Sequence, residues 1–260
     1  MITMKVTGVE ELQKRLDKVS AGQLPFAMAL ALTRTAQDAK DALVKEMRAV
    51  FDRPTPYTLS SHYVKAATKR DLSAKVYLKE FAGKGTPAGK YLGPEIMGGH
   101  RGLKRFEMAL RRVGLLPEGR FVVPGSACPM DAYGNVQRSV IVQVLSYLQA
   151  FGEQGYKANI TEARKARLAK GNRRKQGFVY FVSRGRGTLS ATGRMQNLPA
   201  GIWKRTSFAA GSAVQPIFMF VKTPTYAKRY NFYEVAHRIA KSNFAGHFRA
   251  SFREALATAR

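Results

Sequence analysis

LPFAMALALTRTAQDAKDALVKEMRAVF, residues 24–51, has the length of one long helix and ends just before Asp52-Arg53-Pro54-Thr55-Pro56. Phe26, Leu30, Ala36, Ala39, Leu43, Met47 and Val50 recur at three- and four-residue spacings, which sets one apolar stripe along a helix. Arg34, Asp38, Lys45 and Arg48 fall outside the stripe and can stay hydrated. Pro25 suits a first helical turn, where its missing N–H is no loss; Pro54 forbids continuation and biases Arg53 toward extended backbone. Alanines at 27, 29 and 31 permit close approach of a sheet or of a second copy of the helix. Ala27, Ala31 and Arg34 are accordingly the expected oligomer face.

On the N-terminal side, Met4–Thr7 reads as a short strand, and Val9, Leu12, Leu16 and Val19 as a first helix closed by Gly22. On the other side, Tyr63–Thr68 and Ala74–Lys79 read as a β-hairpin turning at Lys69-Arg70-Asp71. Val76 and Leu78 there alternate with Lys75, Tyr77 and Lys79. Seven glycines between Phe81 and Gly102 indicate a long loop or small insertion with a short helical piece near Tyr91. Helical spacing returns over Arg101–Val113 and Gln137–Phe151, with a short strand at Phe121–Val123 between them. Gly177–Ser183, Gly201–Ser207 and Val214–Val221 read as strands, and Phe232–Ala259 as a closing amphipathic helix. The expectation is α+β: a small antiparallel β-sheet packed by long N- and C-terminal amphipathic helices, with a helical and loop insertion in the middle. Residues 1–80 and 177–260 would form the core domain, and 81–176 the insertion with a basic arm.

Charge narrows the partners. Among 260 residues, 44 Lys and Arg stand against 17 Asp and Glu, a net +27 that favours polyanions or acidic protein neighbours. A single cysteine, Cys128, excludes an internal disulfide and a cysteine-based zinc site. It reads as a small buried hydrophobe. No uninterrupted apolar stretch approaches the roughly 20 residues that span a bilayer, and the charged start MITMKVTGVEELQKRL is unlike a signal peptide, so no membrane partner is expected.

The sequence shows no constellation for chemistry. His62, His100, His237 and His247 are scattered, without the i, i+4 pairing of a helical metal site. Glu10, Glu11, Asp38, Asp41 and Glu46 read as surface charge on helices. Gly83-Lys84-Gly85-Thr86 lacks the spacing of a phosphate-binding Walker loop, and Gly125-Ser126-Ala127-Cys128 lacks the second glycine of a nucleophile elbow. No cofactor and no metal are expected. What remains is basic: Lys157, Arg164, Lys165, Arg167, Lys170, Arg173, Arg174 and Lys175, read as a solvated arm ordered by a partner, and Arg184 and Arg186 in a tight turn. These are the candidate interaction residues. They serve phosphate neutralisation on nucleic acid and complementarity to acidic protein equally well. Phe178, Tyr180, Phe181 and Trp203 lie near them in sequence; their strand alternation assigns them to a core more simply than to base stacking.

Both ends also carry a resemblance. GVEELQKRLDKVSAGQLPFAMALALTRTAQDAKDAL, with Ala29, Ala31, Arg34, Thr35 and Ala36 in an alanine-rich helix, resembles the start of the minor tail protein Z or tail-completion family of long-tailed phages. Thr33 stands where that family often has Asn. The closing Phe220–Arg260, a strand, a Lys222-Thr223-Pro224 loop and a long basic helix, is similar too. The resemblance covers residues 5–80 and 178–260. It implies a structural protein rather than an enzyme, a neck subunit at the head–tail junction of the virion, assembled in the host cytoplasm. Its implied partners are identical subunits in a ring, neighbouring neck and tail-terminator or connector proteins, and the packaged DNA. The reading outside the family is a sequence-independent nucleic-acid-binding protein acting in the cell.

Overall fold

The structure, a computed structural model, describes residues 1–5, 22–83, 85–152, 159–189 and 193–257. The helix expected between Val9 and Val19 lies outside these residues. In chain order the elements begin with strand β1 (Ile2–Lys5), helix α1 (Gln23–Val50), strands β2 (His62–Lys65) and β3 (Ser73–Leu78), and helix α2 (Ala88–Met97). There follow α3 (Arg105–Arg112), β4 (Arg120–Pro124), α4 (Arg138–Tyr147), α5 (Glu162–Lys170), β5 (Phe178–Ser183), β6 (Gly201–Phe208) and β7 (Gly211–Lys222). The long helix α6 (Phe232–Ala257) closes the chain. The fold is α+β, with small antiparallel sheets and long helices toward both ends.

Two compact units divide these elements: Met1–Gly99 with Tyr226–Arg260, and His100–Thr225. This corrects the expected domain limits. The strands after residue 177 belong with the middle of the chain, because β7 pairs on one side with β4 and on the other with β6, and β6 with β5. A strand's alternation does not encode which neighbour it joins, so four strands from three segments close their own sheet.

In the first unit, β3 is the centre of a three-stranded antiparallel sheet ordered β1-β3-β2. Ala74, Val76 and Leu78 turn inward to meet Leu32, Ala36, Ala39, Leu43 and Met47 of α1, Val235 and Ala236 of α6, and Ala88, Leu92 and Ile96 of α2. The expected apolar stripe of α1 is largely this buried face, each large side chain contributing about 1.5–3 kcal/mol by leaving water. Phe26, placed on the stripe by spacing, instead stays partly exposed under the Lys69 ammonium. The two long helices run antiparallel. Arg34 meets Glu254, Asp38 meets His247 and Asn243, and Leu43 meets Tyr230, so partner numbers fall as α1 advances. Arg53 is not extended as expected but has φ +44, a left-handed backbone rare outside glycine.

In the second unit the four-stranded antiparallel sheet runs β4-β7-β6-β5. Val122, Tyr180, Ile202, Phe218 and Phe220 face Leu110 of α3 and Val140, Val144 and Leu145 of α4. Cys128 is buried in this core, as expected, and burial pushes its thiol pKa up. The first and last residues of this unit are adjacent, His100 Nδ1 lying 3.4 Å from Thr225 Oγ1. The unit therefore leaves and returns at one point, as an insertion must.

Candidate functional site

The second unit carries 21 Lys and Arg against 5 Asp and Glu, a net +16. Most of the expected interaction residues lie here, and the structure folds them. Thr161 caps α5 by accepting from the Arg164 N–H at 3.3 Å, and Glu162 pairs with Lys165 one turn on at 2.7 Å. Lys165 also lies 5.7 Å from the centre of the Tyr147 ring. Leu168 packs on the core of the unit, anchoring the helix on the sheet side. Gly177 lets α5 end tightly against the start of β5: a Cβ there would collide with the Ala169 carbonyl.

The stretch expected to be a mobile arm is thus, from Thr161 onward, a docked helix followed by a tight hairpin. Leu168, half-buried against the core, and the Thr161 cap fix its place. In the hairpin the Asn172 side-chain oxygen accepts from the backbone N–H groups of Arg174 and Lys175 at 2.9 and 2.8 Å. Arg173, Arg174 and Lys175 are thereby held outward, all exposed, while Arg164, Arg167 and Lys170 are exposed along α5. Lys157 lies outside the described residues.

Arg184 and Arg186 are not part of this cluster. They follow β5, whereas the hairpin precedes it, and six strand residues set the two groups about 17 Å apart. The Arg184 turn is pinned by Gln196, whose side-chain oxygen accepts from Arg184 N–H at 2.7 Å and Thr188 Oγ1 at 2.9 Å. The neighbouring aromatics are structural. Tyr180 and Trp203 are buried, Trp203 Nε1 donates to Pro199 O at 3.0 Å, and the Phe178 and Phe181 rings lie under Lys204 and Arg205 at 4.7 and 5.2 Å. The candidate residues of the second unit thus lie in two groups, with Lys204 and Arg205 over the Phe178 and Phe181 rings on the strands between them.

The expected oligomer face is corrected outright. Ala27 and Ala31 are completely buried within the fold, so no second copy can reach them. Arg34 forks onto Glu254 at 2.9 and 3.0 Å and donates to Ser251 at 3.2 Å. Small side chains that would admit a neighbouring chain admit the chain's own elements instead, α6 running alongside. Asp38 is likewise not simple surface charge. Its Oδ2 accepts from Asn243 Nδ2 and His247 Nε2, both at 2.7 Å. Burial pushes its pKa up, but these bonds outweigh it and leave the carboxyl below its usual range.

Sequence reasoning overlooked the outer face of the β1-β3-β2 sheet. Tyr63 and Tyr77, directly opposite on β2 and β3, bring their rings to 5.3 Å at a tilt of 53°, and Lys65 stands directly opposite Lys75. The alternation of Lys75, Tyr77 and Lys79 was the available signal. Its buried half places the strand in the core, and its exposed half forms this face.

Among the described residues no group of three or more His, Cys, Asp and Glu is placed to hold a metal ion, and no helix is long and apolar enough to cross a membrane. No family model, curated protein or solved structure matches the chain.

Proposed function

We propose that the chain is a structural subunit of a tailed-phage virion, a tail-completion or neck protein that joins tail to head through ring-forming contacts between copies. The observation that carries this reading is the way the ends fold together. The alanine-rich opening segment and the closing helix, which bear the resemblance to the minor tail protein Z family, form one compact helix-and-sheet unit, while the 126 residues His100–Thr225 fold as a unit of their own. A shared module at the ends with a separate, strongly basic module between them suits a joining protein, which needs one part for position in the ring and another for a neighbour. With Ala27 and Ala31 buried, ring contacts fall to exposed surface. The Arg173–Lys175 hairpin and the Arg184–Arg186 turn are the charged projections offered to acidic neighbours.

The test is mass spectrometry of particles purified from the strain carrying the gene, with electron microscopy of particles made without the chain. The reading expects the protein at fixed copy number and unjoined heads and tails in its absence; complete particles without it overturn the reading. Replacing Arg173, Arg174 and Lys175 by Gln should leave the fold intact and lower joining. The +16 charge of the second unit also favours a second reading, a sequence-independent nucleic-acid binder acting in the cell. A protein absent from particles and retained on cellular nucleic acid at low salt would select it.

A further inference from the structure

We infer that the outer face of the β1-β3-β2 sheet is a binding platform for single-stranded nucleic acid, with Tyr63 and Tyr77 stacking on bases and Lys65 and Lys75 holding the flanking phosphates. The inference does not depend on the virion reading, since a neck subunit and a cellular binder could both use such a face.

The register sets the platform. Across the sheet Thr3, Lys75 and Lys65 stand in one row, and Tyr77 and Tyr63 in the next. Their partners in alternation, Ala74, Val76 and Leu78, fill the core, so these side chains point to solvent. Tyr63 is 50% exposed. The three strands, ITMK, HYVK and SAKVYL, contain no Asp or Glu, so Lys65 and Lys75 have no carboxylate of their own sheet to answer them. Neither makes an ion pair among the described residues.

Two lysines directly opposite on adjacent strands repel one another and weaken the pair. Lysine on an edge strand has an ordinary explanation, since it blocks pairing with another chain. That explains Lys5 on β1 and Lys65 on β2, but β3 is the central strand and Lys75 has no edge to guard. An anion between the two ammonium groups turns the repulsion into a binding site. The tyrosines select the kind of anion. Duplex bases are enclosed in their stack and offer no open face to a ring, whereas single-stranded bases can lie on exposed rings, a contact worth about 1–3 kcal/mol per base. An acidic protein surface would use the lysines and leave both rings unused.

The experiment measures binding of the full chain to fluorescein-labelled dT12 by anisotropy over a range of salt, with a 12-base-pair duplex as comparison. It adds photocrosslinking of the same oligonucleotide carrying 5-iododeoxyuridine. The double variant Tyr63→Ala/Tyr77→Ala should bind dT12 at least about fivefold more weakly while its duplex affinity stays unchanged, and Tyr63→Phe/Tyr77→Phe should restore binding. The double variant Lys65→Gln/Lys75→Gln should reduce the salt slope for dT12 by about 1.4, two phosphates at roughly 0.7 each. Crosslinks should fall on Tyr63 or Tyr77. Equal dT12 binding by the alanine variant, crosslinks confined to residues 100–225, or no dT12 binding at all would each overturn the inference. Tyr63→Ala/Tyr77→Ala loses the cross-strand ring pair and should melt slightly lower, so its binding is measured well below its melting temperature; Lys65→Gln/Lys75→Gln relieves the repulsion and should melt no lower than the unsubstituted chain, and the Phe variant keeps the ring pair.

Discussion

Glu107 is fully buried on α3, yet every lone pair it can offer is used. Arg101 donates to both its oxygens at 2.7 and 2.5 Å, and the N–H groups of Val122 and Lys104 add bonds at 2.8 and 2.7 Å. Burial pushes its pKa up; the Arg101 guanidinium and the two backbone donors together outweigh that and hold the carboxyl below its usual range. Its stabilising effect is present above the ordinary carboxylate pKa and is lost as pH falls through the lowered folded value. Glu107→Gln breaks a buried pair and strands the Arg101 charge, so it should cost about 3–5 kcal/mol in urea unfolding followed by tryptophan fluorescence. His62 has the opposite chemistry. Its Nε2–H donates to Tyr230 Oη at 2.6 Å, the Tyr230 hydroxyl donates to Leu43 O at 3.1 Å, and among the described residues Nδ1 has no partner that meets hydrogen-bond geometry. Burial, with the nearby Lys40 charge, pushes the imidazole down to about 4. The unfolded chain therefore takes up a proton that the folded one refuses between about pH 6.5 and 4, and stability falls on acidification across that window by up to about 3 kcal/mol. His62→Phe should flatten this slope in melts recorded from pH 7 to 4; an unchanged slope would exclude His62 as its source. Neither role was legible beforehand: single His and Glu codes say nothing of the residues that surround them.

At the scale of elements, α1 shows what periodicity can and cannot deliver. Its limits and most of its buried stripe followed from Pro25, Pro54 and the spacing of Ala36, Ala39, Leu43 and Met47, because a helix repeats every 3.6 residues whatever it packs on. What it packs on is set by residues about 200 positions away, so the alanine face was legible and its occupant was not. Leu43→Ala should cost about 2–5 kcal/mol, whereas Arg34→Ala, whose pair with Glu254 is a third to a half exposed, should cost about 1 kcal/mol or less, in urea unfolding followed by far-UV circular dichroism, since the single tryptophan, Trp203, lies in the second unit. The glycine-rich stretch 81–102 teaches the converse. Gly89, Gly93 and Pro94 lower helix propensity, so the sequence suggested a loop with a short helical piece near Tyr91. Burial of Ala88, Leu92 and Ile96 nonetheless holds the whole of 88–97 as a helix. The basic stretch after Thr161 is a helix without a fully buried residue, carrying the Thr161 cap, the Glu162–Lys165 pair and the half-buried Leu168. Composition identified the candidate basic residues; only tertiary structure could assign them to opposite ends of β5.

For the whole molecule, the division into two units implies separable stability. Replacing His100–Thr225 by a short Gly-Ser linker should leave the first unit folded, since His100 and Thr225 already stand side by side and each unit has its own core. Far-UV circular dichroism should keep its helical signature with a cooperative melt, and loss of that melt would show that the first unit depends on the second. Net charge would then drop from +27 to +11, with a matching loss of general polyanion affinity that leaves the Tyr63 and Tyr77 face in place.

The same arrangement has a consequence for synthesis. α1 emerges from the ribosome about 180 residues before α6, the helix that runs alongside it, and the β2-β3 hairpin about 150 residues before. At 5–20 residues per second the nascent chain holds the apolar stripe of α1 without its partner for on the order of ten to forty seconds. During that wait the middle unit completes its own sheet and can fold. The first unit is therefore the last to finish, and the nascent α1 stripe is where a chaperone would be needed.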